Sequence, residues 1–297
     1  MTESLYANLV RDPDGAWSTA YGPFILRSAL QPIFRRTSAG MLAIDGFQGL
    51  VRAEKNGEPH SPSQFLPLVE EQDHPRVDSL LRAIHILNTG LLARSPNRVF
   101  VSFTPDHYPD ADSLRIETEH LRLAAHEAGL PTESIICDIS FTLGRSADMR
   151  KATIDALRNA GFSISLSDYG SGDEDIERAV ALNPTCVKFD GYWVRNYMHN
   201  PAGLALLRVA VRQFVKQGIE PLFERLEEMW QVELCEEIGV PLMQGYALAR
   251  PQLVPTNFNA QFPEHPQPFP RAIGDTNTGI SAPDQHRPHP VFGKRQA

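Results

Sequence analysis

Short apolar runs rich in β-branched residues, bounded by turn formers, recur at 24–34, 41–51, 98–104, 134–140, 162–168, 185–190, 220–224 and 240–245. Their length and flanks are those of strands. Between them lie longer segments whose apolar positions repeat every three or four residues, at 76–93, 110–128, 147–160, 174–182, 203–216 and 226–237. That period is the buried stripe of a helix. Gly129, Gly161 and Gly218 follow three of these segments and Asn200-Pro201 opens one, which are ordinary stop and start signals. Eight strands alternating with six helices, the first two strands joined as a hairpin, predict an α/β fold. We read it as a (β/α)8 TIM-like barrel with an irregular antiparallel start. A doubly wound open sheet has the same alternation and stands as the alternative.

The alternation fills residues 21–251, the expected barrel domain. Residues 1–20 read as a lead-in with at most a short helix. From 252 to 297 there are eight prolines and no apolar periodicity, so this stretch is expected to be a disordered Pro-rich tail. Composition narrows the function. At 42% apolar and 22% charged the chain can bury a core. A net charge of -8 argues against a nucleic-acid partner, which would require clustered Lys and Arg. No apolar run approaches the roughly 18 residues that span a bilayer, and the first residues lack the basic-then-apolar layout of a signal peptide. Cys137, Cys186 and Cys235 are too few and too scattered for a disulfide framework or a cysteine zinc site. A cytoplasmic location without membrane attachment is therefore expected.

In a barrel the chemistry sits where strands end and βα loops begin. The expected strand ends carry Gln48 with Arg52, Ser102 with Thr104, Asp138 with Ser140, Ser167 with Asp168, Lys188 with Asp190, then Glu224 and Gln244. Any one polar residue there is ordinary, whereas the whole series converging on one mouth points to a ligand site. Lys188 interrupts the apolar run Cys186–Phe189. A half-buried lysine requires a nearby carboxylate, and Asp168 and Glu224 lie on the flanking strands. Such a triad is either a satisfied structural network or the remains of an acid–base centre. Other chemistries lack their motifs: Gly170-Ser171-Gly172 is followed by acids rather than a Walker lysine, and neither HExxH nor GxSxG occurs.

The ordered series LQPIF, GFQGLVR, VSFTP, CDIS, LSDYGSG, VKFD, FERLEE and QGYALARP resembles the EAL-domain family, and the resemblance runs from about Phe24 to Pro251. It implies a cyclic-di-GMP phosphodiesterase or a relative that has lost catalysis. In active members a Glu, an Asn, a second Glu and an Asp-Asp pair hold Mg²⁺ or Mn²⁺, and a Lys and a Glu help to activate the attacking water. Here those positions align as Gln48 for the first Glu, Ser102 for the Asn, Asp138 for the second Glu and Ser167-Asp168 for the pair. Phe141 stands where the glutamate that anchors the following loop would be, and Gly49 and Ser140 are further departures. Asp168, Lys188 and Glu224 are retained. So is the implied ligand-binding set of Gln31, Leu50, Arg52, Glu227 and Gln244, to which Pro67 adds apolar contact.

Two-metal hydrolysis needs paired ions held by several oxygens, and Mg²⁺ tolerates little departure from octahedral geometry. With an amide at 48, hydroxyls at 102 and 167 and a shorter acid at 138, no competent catalytic centre and no bound metal are expected. A weak Mg²⁺ or Mn²⁺ site at Asp138 and Asp168 stays open. An arginine fork at Arg52 can hold a phosphate without a metal. Three readings follow from the resemblance: a cyclic-di-GMP-binding regulator without hydrolysis, a regulator that acts only on an unknown protein partner, and a weak residual phosphodiesterase. The resemblance also implies a homodimer, since in the family the region of loop 168–175 and the next helix mediate dimerisation.

Overall fold

The parallel strands within 98–243 read as short, largely apolar runs because both of their faces are covered, one by helices and one by the strands across the barrel. The computed structural model describes residues 5–37, 40–140, 147–171 and 176–264, within a unit that closes at Glu264. Strands β1 (Leu9–Arg11), β2 (Trp17–Tyr21), β3 (Phe24–Arg36), β4 (Leu42–Lys55) and β5 (Glu58–His60) form an antiparallel opening. After α1 (Pro62–Phe65) and α2 (His74–Gly90) the chain alternates. It passes through β6 (Arg98–Ser102), α3 (Ala111–Glu127), β7 (Ile135–Ser140), α4 (Ala147–Asn159), β8 (Ser163–Tyr169), α5 (Ile176–Ala181) and β9 (Cys186–Phe189). Then come α6 (Gly191–Met198), α7 (Pro201–Lys216), β10 (Glu220–Phe223), α8 (Met229–Ile238), β11 (Leu242–Met243), β12 (Gln252–Leu253) and α9 (Phe258–Gln261).

The ladder runs β3-β11-β10-β9-β8-β7-β6-β4, and β3 pairs back onto β4 to close the barrel. The pairs from β4 through β11 are parallel, whereas β3 is antiparallel to both of its barrel neighbours. This is the expected barrel with its antiparallel start, and closure excludes the open-sheet alternative. Caps fall where the residue types put them: Asp110 and Asn200 accept from Ser113 N and Gly203 N, and Gly239 ends α8 in the left-handed region.

Alternation inside the barrel builds three layers. At the amino ends of the strands Asp45 and Glu220 take hydrogen bonds from Arg35 and Arg98. Above them lies an apolar layer of Ile33, Phe100, Ile136, Cys186, Leu222 and Leu242. One step up the barrel, two residues later on each parallel strand and two earlier on antiparallel β3, come Gln31, Ser102, Asp138, Lys188, Glu224 and Gln244, the polar layer of the mouth.

Two boundaries differ from the expectation. The lead-in does hold a short helical turn at Leu5–Asn8, but β1 and β2 follow it and extend the sheet beyond β3. The low-periodicity region does not begin at 252, because β12 pairs with β3, and α9 buries Phe258 against Phe47 with Phe262 against Phe34. The reason is topological. A hairpin joins β3 to β4, and α2 covers only part of their outer face, through Val77, Leu81 and Ile84 against Leu26, Val51 and Ala53; residues 252–264 cover the part around Leu30, Phe34 and Phe47. The rest of the expected tail, 265–297, lies outside the described residues. Among the described residues no helix is long and apolar enough to cross a membrane.

Candidate functional site

The polar layer opens into a cavity of about 520 Å³. Gln31 of β3 and Gln48 with Leu50 of β4 form one side. Ser102, Asp138, Ser167 and Asp168 end β6, β7 and β8, and Lys188, Glu224, Glu227 and Gln244 complete the far side. Eleven residues singled out from the sequence thus share one wall-to-wall site. Arg52 and Pro67 do not line it: Arg52 lies further along β4 and donates to the Val51 carbonyl at 2.8 Å, and Pro67 is exposed beyond α1. Thr104 and Asp190 cap the segments that follow their strands, Asp190 accepting from Trp193 N at 2.7 Å. Phe141 and residues 172–175 lie outside the described residues.

Lys188 is buried at the centre. Its Nζ is 3.0 Å from Asp138 Oδ2 and 3.1 Å from Glu224 Oε2. Burial works against the ammonium charge, but the Asp138 and Glu224 carboxylates outweigh it and raise the lysine pKa. The Asp138 carboxyl is pushed up by burial, with Lys188 opposing the shift. Lys188 therefore stays charged and holds two of the carboxylates in internal ion pairs.

The sequence places Asp168 beside Lys188, whereas the lysine takes Asp138 instead. Between Leu166 and Tyr169 the β8–β9 register shifts, and Asp168 takes φ 64° in the left-handed region. The bulge turns its carboxylate to the other neighbour, where Ser140 Oγ donates to Asp168 Oδ2 at 2.6 Å. Sequence alone carries no signal for this, since the spelling of a strand end does not mark a bulge. Among the described residues Asp138 Oδ1 and Gln244 Nε2 are buried without a hydrogen-bond partner. Orphaned buried polar atoms of this kind are uncommon and mark where a ligand can add hydrogen bonds.

The wall is braced from behind. Arg82 of α2 donates to the Ser102 carbonyl at 3.1 Å and to Glu117 at 2.8 Å, also bonds the Tyr108 hydroxyl, and stacks over Phe103. His85, one turn further on, bonds Ser28 Oγ through Nδ1 at 2.7 Å. Burial, helped by the Arg82 and Arg52 cations, pushes its imidazole down to about 3, so it is neutral. The ring fills the space beside Gly49: a Cβ there would stand 2.4 Å from His85 Cγ. The glycine at 49 is thus the counterpart of a histidine 36 positions away, a match only three dimensions display. Arg225 and Tyr246 also line the cavity, and sequence reasoning missed both.

As a donor set for metal, the site offers an amide at 48, hydroxyls at 102 and 167, and an ammonium amid the remaining acids. Among the described residues no group of three His, Cys, Asp or Glu side chains is placed to hold a metal ion.

A closed parallel barrel with a polar mouth at the carboxyl ends of its strands belongs to the ligand-binding and catalytic barrels as a class. The family is narrower still: the EAL domain model matches residues 25–251, and the chain belongs to the EAL family. It is 28% identical over 225 residues to the probable cyclic di-GMP phosphodiesterase PdeA of Escherichia coli (strain K12), covering 75% of this chain and 30% of that protein. It thus spans under a third of that relative's length. Among solved structures, the calcium and cyclic-di-GMP complex of Klebsiella pneumoniae BlrP1 superposes with a TM-score of 0.67 at 22% identity, covering 78% of this chain and 56% of that one. A standalone versatile EAL protein from Vibrio cholerae O395, in its c-di-GMP bound form, gives 0.65 at 22% identity, with 79% and 98% covered. At these identities the structural likeness speaks for the fold.

Proposed function

We propose that this EAL domain is a cyclic-di-GMP-binding regulator that does not hydrolyse the nucleotide. The observation that carries the reading is the donor set of the mouth: it lacks the oxyanions of a metal centre at Gln48, Ser102 and Ser167, and the shortened acid Asp138 pairs with the buried Lys188 ammonium at 3.0 Å. Gln48, Ser102 and Ser167 supply neutral oxygens only, so the residues present do not fit a two-metal centre. The absence of those charges lowers repulsion toward an anionic dinucleotide. The cavity keeps hydrogen-bonding groups for bases and phosphates in Gln31, Gln48 and Gln244, and relatives with solved structures hold cyclic-di-GMP.

Titration calorimetry with cyclic-di-GMP in EDTA, followed by analysis of the sample after incubation with Mn²⁺, tests this. Saturable heat with no linear dinucleotide is the expected result. Linear product would establish the residual phosphodiesterase instead. No heat in either condition would leave the protein-interaction reading. One observation favours that second reading: Leu206 and Val209 on one face of α7 are 54% and 53% exposed. A homodimer and a cytoplasmic location belong to the same proposal, and light scattering on the full chain measures the former.

A further inference from the structure

Among the described residues, five other than glycine adopt positive φ: Asn56, Ala93, Asp168, Asn183 and Arg225. Asn and Asp tolerate the left-handed region through local hydrogen bonding, whereas a long unbranched side chain gains nothing from it. Two of the five, Asp168 and Arg225, line the same cavity. Strain at a cavity wall is where function tends to override local preference.

Arg225 follows Glu224 directly after β10, with φ 59°. Its stem fills the space beside Gly191, where a Cβ would lie 2.7 Å from Arg225 Cβ and 2.8 Å from Cδ. Its guanidinium stands 5.0 Å from the ring centre of Tyr192, a side chain 59% exposed. The nearest carboxylate oxygen is Glu224 Oε1, 3.5 Å from Nε, and no hydrogen bond from the guanidinium is made to any described residue. The head group is thus seated by stacking and stem packing, while its fork of donors stays available.

The charge balance of the cavity gives that fork a purpose. Lys188 and Arg225 are the two cations among the residues lining it, and Lys188 is neutralised internally. Glu227 faces the same space but is paired with Arg195, whereas no cation pairs with Asp168 among the described residues. A phosphodiester entering there meets the Asp168 charge unless Arg225 offsets it. We propose that Arg225, seated on Tyr192, is the phosphate-binding cation of this mouth, and that it supplies in a fixed guanidinium the positive charge that a metal-loaded site would draw from divalent ions. The inference rests on the nucleotide-binding reading above and adds a residue to it.

The test is titration of cyclic-di-GMP in EDTA into the full chain and two variants, with thermal melts of each. Arg225→Gly suits the local φ and is expected to melt no lower than the wild type. Arg225→Gln keeps the stem and removes the charge. Both are expected to weaken binding at least tenfold. Wild-type affinity in either variant would overturn the role of Arg225 and leave the receptor reading standing. No binding by the wild type would overturn both.

Discussion

The two ends of the barrel are built from the same alternation yet treat charge in opposite ways. At the amino ends Arg35, Asp45, Arg98 and Glu220 close a ring in which each acid receives both arginines. Nothing there is left over. At the carboxyl ends a lysine is clamped by two acids, yet Asp138 Oδ1 and Gln244 Nε2 have no partner among the described residues, and two residues hold left-handed backbone. A fold can saturate one polar layer and leave the other incomplete on a single scaffold. The incomplete layer is the one with room for a ligand.

The contrast breaks most severely at Lys188. Lys188→Met strands Asp138 and Glu224 in a buried setting, and breaking such a pair costs about 3–5 kcal/mol. Chemical denaturation measures this. The same variant frees two carboxylates, so Mn²⁺ is expected to raise its melting temperature while leaving the wild type unmoved. An equal Mn²⁺ shift in the wild type would mean that the clamp does not keep cations out.

A smaller effect is expected at the mouth's outer wall. Gly49→Ala drives a Cβ into the buried His85 ring, and overpacking of this kind costs about 1–3 kcal/mol. His85→Ala in the same chain should relieve much of that penalty, which a double-mutant cycle reads as coupling. Additive losses would show that the two positions are independent.

The smallest effect sharpens the comparison from the other end. Asp45→Asn keeps one acceptor oxygen for arginines that are partly exposed, and is expected to cost about 1 kcal/mol by denaturation. Nucleotide affinity should not change. A lost affinity would mean that the two polar layers act as one.

Strand periodicity made the barrel legible, and the polar strand ends made most of the mouth legible, because both depend on alternation within a few residues. What could not be read depends on distant partners or on backbone irregularity. Lys188 takes Asp138 because a bulge swings Asp168 toward Ser140. Gly49 reads as a mere departure until His85 is seen against it. Arg225 sits in a loop whose positive φ no spelling announces. Residues 252–264 look like tail because Phe258 and Phe262 pack on Phe47 and Phe34, the part of the β3–β4 surface that α2 leaves open, and that surface is distant in sequence.

Arg225, in place of divalent metal, offsets the negative charge that a phosphodiester meets in this mouth, while Lys188 is neutralised by Asp138 and Glu224. Paired measurements of the dissociation constant for cyclic-di-GMP, one in EDTA and one in saturating Mn²⁺, test it most directly. The account predicts two constants that agree within about twofold and no linear product in either sample. Binding that appears only with Mn²⁺, or tightens tenfold with it, would contradict the account and return the site to metal-dependent chemistry.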